Sequence, residues 1–310
     1  MNLDGNEDFR ILALDGGGSK GVYSLGVLLA FEKLTNVKLS KCFDLIYGTS
    51  TGGIIAALIA LGWHIEEIIE LYLSLIPDIM GVGHRSSRSR KLAKHAHRIF
   101  GGAKFDAFQV DVGIVAMHHG DAKPMIFKSS IQEAHGADST YEPGFGCKIA
   151  DAILASCAAF PFFKPVTVET VNQGNPELMD GGFVGNNPAL FALADAVEEF
   201  KIPLDAIQLL SVGVGAYPQA PRGVYNKIVR NSWPYHLFET MLSANANATE
   251  QLRAVLFPNV QTVRINDSFT EVQYATSLLE SKPDKLSKLI ELGRESFGKY
   301  EEDVKALFDF

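Results

Sequence analysis

Few features of this sequence point to secretion, membrane insertion or nucleic-acid binding. Only three cysteines occur in 310 residues, Cys42, Cys147 and Cys157, and their spacing is not that of metal ligands. An odd number of cysteines in apolar runs predicts reduced core thiols in a cytosolic protein, not a disulfide framework. The longest apolar run, residues 52–63, is shorter than the roughly 20 residues that span a bilayer, so it predicts a buried helix.

Positive charge is scarce as well. The 28 lysines and arginines against 36 acidic residues give a net charge of −8, which argues against a general binder of DNA or RNA. Residues 1–8 are acidic and do not resemble a secretory signal, so we expect a cytoplasmic protein. The composition is globular and no linker divides the chain, which predicts a single domain over residues 1–310.

A repeated order of elements predicts the fold class. Residues 9–14 and 43–47 are apolar, strand-like runs, and each is followed by a glycine-rich turn and a helical pattern, over 22–34 and 54–61 respectively. Alternation of strand, tight turn and helix is typical of an α/β fold with a mostly parallel central sheet covered by helices.

The rest of the chain continues this pattern and then changes. A helix from residue 65 is expected to end before Pro77, because proline interrupts helical hydrogen bonding. After Gly215 the pattern is helical to the end of the chain, and residues 216–310 are expected to pack on the preceding part. Further strands are predicted at 110–117, 124–128, 165–171 and 206–214, and further helices at 148–157 and 189–200.

The turn after the second strand has the form of a nucleophile elbow, Gly48-x-Ser50-x-Gly52. Such an elbow holds a serine in a strained strand-to-helix turn and needs small neighbours where the backbones crowd together. Gly48 and Gly52 provide that space. A glycine-rich turn with an incidental serine is the structural alternative, but the flanking strand and helix favour a nucleophile at Ser50.

The turn after the first strand, residues 16–21, matches G-x-G-x-x-G, which is also a dinucleotide fingerprint. That interpretation expects an acidic residue about 20 positions later, and none lies between Glu32 and Asp44. A phosphate loop is also excluded, because Lys20 is followed by Gly21.

The remaining interpretation of this turn is a nest of backbone N–H groups at a helix N-terminus. Beside an elbow serine, such a nest is an oxyanion hole, formed here by Gly16, Gly17 and Gly18. A non-catalytic nucleotide-binding module that uses residues 16–21 is the alternative from another functional class.

A serine nucleophile also needs a base, and two residues are candidates. For a hydrolase triad in the order Ser, Asp/Glu, His, the only histidine that comes late enough is His236, which lies in an apolar stretch. Asp180 is the other candidate, because it ends a short apolar run and enters a sharp glycine bend. The sequence pattern alone leaves both open.

Several separated motifs resemble those of the patatin-like phospholipases. The resemblance covers about residues 9–215, and the order and spacing of the motifs are specific to that family. The segments that carry it are Asp15-Gly-Gly-Gly-Ser-Lys-Gly21, Gly48-Thr-Ser-Thr-Gly-Gly53, Ala155-Ser-Cys-Ala-Ala-Phe-Pro-Phe-Phe163, Asp180-Gly-Gly182 and Gly185-Asn-Asn-Pro188.

The resemblance implies a three-layer α/β/α fold and a Ser–Asp dyad without a catalytic histidine. Ser50 would be the nucleophile and Asp180 the base, with the oxyanion held by Gly16, Gly17 and Gly18. It implies no metal and no cofactor. The reaction would be hydrolysis of glycerophospholipid acyl esters through an acyl-enzyme, by a cytoplasmic protein acting peripherally at the inner membrane surface. A homo-oligomer is compatible with this, and the sequence leaves the oligomeric state open.

Two further segments keep alternative interpretations. Residues 79–105 contain no acid but carry Arg85, Arg88 and Arg90, which predicts either a solvated surface or a contact with anionic headgroups or a phosphorylated regulator. In overall size and in the general course of its sequence, the chain is similar to compact bacterial patatin-like effectors of anti-phage defence. This similarity implies a cyclic dinucleotide activator. The aromatic residues Phe160, Phe162 and Phe163 are expected either to line an acyl-binding cleft or to lie in the core.

Overall fold

The computed structural model describes residues 8–130, 141–218 and 233–309, without the side chains of Trp233, Pro234 and His236. The strands are β1 Phe9–Leu14, β2 Leu45–Thr49, β3 Asp111–His118, β4 Pro124–Lys128, β5 Val166–Thr167, β6 Glu177–Asp180, β7 Ile207–Val212 and β8 Gln261–Ile265. The helices are α1 Gly21–Thr35, α2 Thr51–Ala60, α3 Ile65–Met80, α4 Arg85–Phe100, α5 Ile149–Ser156, α6 Gly182–Gly185, α7 Ala189–Glu198, α8 Trp233–Leu256 and α9 Pro283–Phe308.

Eight strands of the described residues form one mixed sheet, in the order β5-β6-β3-β2-β1-β7-β8, with β4 also paired to β3. Strands β3, β2, β1, β7 and β8 run parallel, whereas β4, β5 and β6 pair antiparallel. Parallel strands place their carboxyl ends at one edge of the sheet, where ligands of α/β proteins usually bind. Both predicted glycine turns lie at that edge.

The two faces of the sheet pack against separate layers of helices. In β1, Leu12 and Leu14 belong to a core with α1, α2, α5 and α9. The alternate residues Ile11 and Ala13 pack with α7 on the opposite face. Successive strand residues point to opposite faces, so a sheet that is apolar on both faces needs a layer of helices on each face. The three-layer α/β/α fold predicted from the sequence is confirmed.

Two predicted elements differ in extent by several residues. Helix α3 does not end before Pro77 but continues to Met80, because the apolar stripe on its buried face continues through Leu75, Ile76 and Ile79. The strand expected over 165–171 is only the pair Val166–Thr167. The basic segment forms the 16-residue helix α4.

The expectation of purely helical structure after Gly215 was wrong. Strand β8 joins the sheet beside β7, in parallel register with Val212 opposite Ile265. Its sequence, Gln-Thr-Val-Arg-Ile, alternates exposed or half-buried residues with buried ones. This strand has only five residues, and polar side chains stand at several of its positions, so its sequence signal is weak. Its pairing also depends on a strand that is distant in the chain.

Candidate active site

Ser50 lies in a strained turn between β2 and α2. Its backbone dihedrals are φ 53° and ψ −120°, a positive φ that non-glycine residues rarely adopt. Gly48 and Gly52 permit this turn: a Cβ atom on Gly48 would lie 2.3 Å from the carbonyl oxygen of Gly52, and one on Gly52 would lie 2.3 Å from that of Leu14. The geometry is that of a nucleophile elbow.

The register of the sheet brings Ser50 and Asp180 together. Thr49, the last residue of β2, pairs with Val115 of β3, and Asp180, the last residue of β6, pairs with the next residue, Ala116. The hydroxyl of Ser50 donates a hydrogen bond to Oδ2 of Asp180 at 2.7 Å, across 130 residues of sequence. The two residues that the motifs singled out are therefore in direct contact.

Asp180 is placed where its carboxylate is a stronger base than an exposed one. The residue is 2% exposed, and burial raises the pKa of its carboxyl to about 7, against the smaller opposing effects of hydrogen bonds from Ser50 and the Gly182 N–H. The Gly182 N–H donates to Oδ1 at 2.7 Å, which fixes the carboxyl plane and leaves Oδ2 for Ser50. A pKa near 7 suits a general base at neutral pH.

The sequence interpretation missed Ser156, the last residue of α5. Its Oγ accepts the Ser50 N–H at 2.8 Å and donates to the Val115 carbonyl at 2.6 Å. Two residues later, the carbonyl of Ala158 accepts the Asp180 N–H at 3.2 Å. The small-residue motif, in which Ser156 lies, thus ties the backbones of both catalytic candidates to one segment.

The glycine loop after β1 runs beside the dyad. The Gly16 N–H donates to the Asn186 carbonyl at 3.0 Å, so it is already engaged. Gly17 and Gly18 have no acceptor for their N–H groups among the described residues, and both line the cleft that contains Ser50. Gly18 has φ 57°, and a Cβ atom there would lie 2.6 Å from the Leu278 carbonyl, so glycine is required. Two of the three predicted oxyanion donors therefore remain available to a ligand.

Strand β8 supports this loop from the other side. The guanidinium of Arg264 donates two hydrogen bonds to the carboxylate of Asp15, at 2.7 Å and 2.5 Å, and a third to Ser211 Oγ at 2.8 Å. Asp15 is 3% exposed and directly precedes the glycine loop. Because no motif is recognisable after residue 215, sequence reasoning had no signal that connects Arg264 with this site.

The dyad opens into a largely apolar cleft that is partly open to solvent. Phe162 and Phe163 line it, whereas Phe160 is 45% exposed. Two of the three aromatic residues are therefore both buried and part of the cleft wall. Aliphatic and aromatic residues of α3, α4 and α8 complete the lining, among them Leu75, Ile76, Ile79, Leu92, Ile99, Phe238 and Leu242.

Cys157 and His95 also line the cleft. Burial raises the pKa of the Cys157 thiol, and the nearby Asp180 carboxylate adds to this shift, so Cys157 is held as an unreactive thiol. His95 shares a hydrogen bond of 2.9 Å with Asp78 Oδ2 through its Nε2.

His236, the alternative base, belongs to α8, and its side chain lies outside the described residues, so that alternative stays a prediction.

The three arginines of the basic segment are not equivalent. Arg85 donates from Nε to the Phe163 carbonyl at 2.7 Å, and its guanidinium lies 5.5 Å from the centre of the Phe160 ring. Arg88 is buried and Arg90 is exposed. Treating them as one surface segment was therefore wrong for Arg88, which lies on the inward face of α4.

In the parts of the chain that the structure covers, no group of three or more His, Cys, Asp or Glu side chains is arranged to hold a metal ion. Within the same parts, no helix combines the length and the apolar character that a membrane span requires.

A three-layer α/β fold with a Ser–Asp pair at the carboxyl edge of its sheet is typical of serine-dependent hydrolases. Comparison with known proteins shows which family this chain belongs to. The sequence model of the family described as patatin-like phospholipase matches residues 12–193. The chain belongs to this family, and the family predicted from the motifs is confirmed.

Individual relatives are similar over much of the chain. A cUMP-AMP-activated phospholipase of Escherichia coli is 43% identical over 302 residues, which is 97% of this chain and 94% of the relative. A cGAMP-activated phospholipase of Escherichia coli strain TW11681 is 27% identical over 227 residues, 66% of this chain and 61% of the relative. Calcium-independent phospholipase A2-gamma of Rattus norvegicus is 29% identical over 326 residues, 96% of this chain and 39% of the relative. The prediction of a lipid ester hydrolase is confirmed.

Proposed function

We propose that this enzyme hydrolyses acyl esters of glycerophospholipids with Ser50 as the nucleophile and Asp180 as the general base. The observation that carries the proposal is the 2.7 Å hydrogen bond from the Ser50 hydroxyl to a buried carboxylate at the base of an apolar cleft. A cleft of this character accommodates an acyl chain, and a serine in an elbow presents its hydroxyl to the ester carbonyl.

The first half of the reaction forms an acyl-enzyme. Ser50 Oγ attacks the ester carbonyl carbon while Asp180 Oδ2 accepts the hydroxyl proton, and the carbonyl oxygen becomes an oxyanion. The N–H groups of Gly17 and Gly18, which lack an acceptor among the described residues, are the donors that we assign to this oxyanion. When the intermediate collapses, the ester C–O bond breaks and Asp180 returns the proton to the leaving alcohol of the lysophospholipid.

The second half regenerates the enzyme. A water molecule attacks the acyl carbon, Asp180 accepts a proton from this water, and the same pair of glycine N–H groups stabilises the second oxyanion. Collapse breaks the bond to Ser50 Oγ, which recovers its proton from Asp180 as the fatty acid leaves. Asp180 can act in both halves because burial places its pKa near neutrality, so both protonation states are accessible.

The proposal includes control by a nucleotide and action at a membrane. Two relatives are named as phospholipases that cUMP-AMP or cGAMP activates, and the first of them covers nearly the whole of this chain. By analogy, a cyclic dinucleotide activates this enzyme in bacterial anti-phage defence, and the activated enzyme hydrolyses lipids at the inner surface of the cytoplasmic membrane. The basic N-terminal half of α4, with the exposed Phe160 beside it, would face the anionic lipid surface.

Two measurements test this function. A fluorophosphonate probe should label the wild-type enzyme at Ser50, and Ser50→Ala should not be labelled. Hydrolysis of phosphatidylglycerol vesicles, run with cUMP-AMP, cGAMP and other cyclic dinucleotides, should show release of fatty acid that depends on one of them. Labelling at another residue, or equal hydrolysis by wild type and Ser50→Ala, would contradict the proposed chemistry. Hydrolysis that no nucleotide increases would contradict the proposed activation.

A further inference from the structure

Arg88 is a buried cation without a partner among the described residues. It is 7% exposed, and its Nε is fully buried without a hydrogen-bond acceptor. Within the described ranges its side chain forms neither a salt bridge nor a hydrogen bond. Burial also lowers the pKa of the guanidinium, with no opposing effect from a neighbouring carboxylate. Arginine is almost never buried in proteins unless it is paired.

The other buried charged side chains of the described residues show how unusual this is. Each of them has a partner that compensates its charge or its hydrogen-bonding capacity. The pairs are Asp15 with Arg264, Lys128 with Asp195, Glu280 with Lys285, and Asp180 with Ser50. Because an uncompensated buried charge is costly, Arg88 is the exception among the buried charged groups of the described residues.

The surroundings of Arg88 favour binding of an anion. It lies at the start of α4, whose first turn contains no acidic residue and whose N-cap makes no side-chain hydrogen bond. Within the described residues, the N–H groups of Arg85 and Ser86 have no acceptor, as is usual for the first residues of a helix. Asp78, which precedes the helix, is already paired with Lys91 and His95. Arg88 is therefore carried by the first turn of a helix whose N-terminal N–H groups have no acceptor in the described part of the chain.

This turn adjoins the acyl cleft. Leu92 and His95 of α4 line the cleft, and Arg88 lies four and seven residues before them, on the same helix face. The distance along the helix from Arg88 to Leu92 is about 6 Å. The N-terminal turn of α4 is also attached to the cleft wall, because Ser89 Oγ accepts the Lys164 N–H at 2.9 Å and Arg85 donates to the Phe163 carbonyl.

We propose that Arg88 and the N-terminal turn of α4 bind a phosphodiester group beside the acyl cleft. The planar guanidinium can donate two parallel hydrogen bonds to phosphate oxygens, and the helix N-terminus adds backbone donors and a favourable dipole. The choice of a phosphodiester rests on the proposed function, since both the phospholipid substrate and the cyclic dinucleotide contain that group. Arg85 holds the cleft wall instead, and Arg90 is exposed.

The test measures binding without turnover. Calorimetry on the Ser50→Ala protein would use two soluble phosphodiesters: glycerophosphoglycerol, the deacylated headgroup of phosphatidylglycerol, and cUMP-AMP. Adding Arg88→Gln should weaken binding of at least one probe by about tenfold or more, and the probe that is affected identifies the source of the phosphodiester. Arg98→Gln is the matched control, because Arg98 is an exposed arginine of the same helix, and it should leave both affinities unchanged. Unchanged affinity for both probes in Arg88→Gln would overturn the proposal.

Thermal unfolding separates this role from a structural one. Removing an uncompensated buried charge should leave the Tm of the ligand-free protein equal or higher, whereas the probe that binds should raise the Tm only when Arg88 is present. A ligand-free Arg88→Gln protein that unfolds or melts far below the parent would overturn the proposal, because Arg88 would then be part of the fold. If wild type hydrolyses no lipid but Arg88-dependent binding is seen, the proposed function fails and the phosphodiester site stands.

Discussion

Ser156 connects the two halves of the dyad through its own backbone and side chain. Its Oγ accepts the Ser50 N–H at 2.8 Å, and its carbonyl accepts the Gly181 N–H, next to Asp180, at 3.4 Å. The positive φ of Ser50 costs roughly 1–3 kcal/mol, so an acceptor for its N–H stabilises a strained conformation. Because these hydrogen bonds go to main-chain atoms of the elbow and of the Asp180 bend, Ser156 acts by positioning the dyad.

Ser156→Ala should therefore lower kcat by about tenfold or more and leave KM nearly unchanged. The substitution leaves the Ser50 N–H and the Val115 carbonyl without partners, at a cost of about 1–3 kcal/mol in stability. Steady-state kinetics with a short acyl ester and urea unfolding measure the two effects. Ser40→Ala is the control, since Ser40 is also buried but its Oγ has no partner in the described structure, and it should change neither quantity.

The dyad itself leads to a second prediction. Ser50→Ala and Asp180→Asn should each reduce hydrolysis by roughly a thousandfold or more, and the double variant should be no worse than either single one, because the two groups act as a unit. All three proteins should retain the far-UV circular dichroism of the wild type. His236→Ala should keep most of the activity, and a loss as large as that of Ser50→Ala would support a Ser–Asp–His triad instead.

The raised pKa of Asp180 predicts opposite effects of pH on activity and on stability. As pH rises through about 7, the base loses its proton and kcat/KM should increase. An ordinary aspartate has a pKa of about 3.9, so between about pH 4 and pH 7 the folded state binds more protons at this site than the unfolded state. The free energy of unfolding attributable to Asp180 is thus fully present below that window and is lost as pH rises through it.

Asp180→Asn provides the control for this pH dependence, because asparagine does not titrate. Urea denaturation of the wild type and the variant at several pH values between about 4 and 7 measures the slope of unfolding free energy against pH. The variant should lose the part of the slope that comes from Asp180. An identical slope in both proteins would contradict the raised pKa.

The residues that could be predicted from the sequence are those whose role follows from local geometry. Gly48 and Gly52 are needed wherever a strand and a helix cross closely at a serine, so their spacing identifies Ser50 without any knowledge of the sheet. Asp180 was identifiable only through the combined order of the motifs, because an Asp-Gly-Gly bend alone is common.

The residues that were not predicted depend on contacts between distant parts of the chain. In the sequence, Ser156 is one serine in a run of small residues, and nothing marks its role. Its contacts become visible only when β3 is paired with both β2 and β6. Arg264 lies in a strand that is recognisable only once it pairs with β7. Nothing in the basic run distinguishes Arg88 from Arg85 and Arg90, because burial on one helix face depends on the segment that packs against it.

Arg264 allows a prediction for the part of the chain that has no motif. Arg264→Gln should destabilise the protein by about 3–5 kcal/mol, because it leaves the carboxylate of Asp15 buried without its bidentate partner. Activity should fall as well, since Asp15 leads directly into the glycine loop. Chemical denaturation provides the measurement, and Arg253→Gln provides the comparison. The half-buried pair of Arg253 with Glu250 should contribute under about 1 kcal/mol, and equal losses in both variants would contradict this account.

The contact between Arg85 and Phe163 predicts a defect that depends on the length of the acyl chain. Arg85 holds the cleft wall by one hydrogen bond to a main-chain carbonyl and by its position over the Phe160 ring. Arg85→Met removes both, so the wall that carries Phe163 should loosen where a long chain would lie. We expect KM for a long-chain phospholipid to rise several-fold, while hydrolysis of a short acyl ester without activator changes little. Arg85→Lys should recover part of the loss through its charge. Equal changes for long and short substrates would show that Arg85 supports the dyad rather than the cleft.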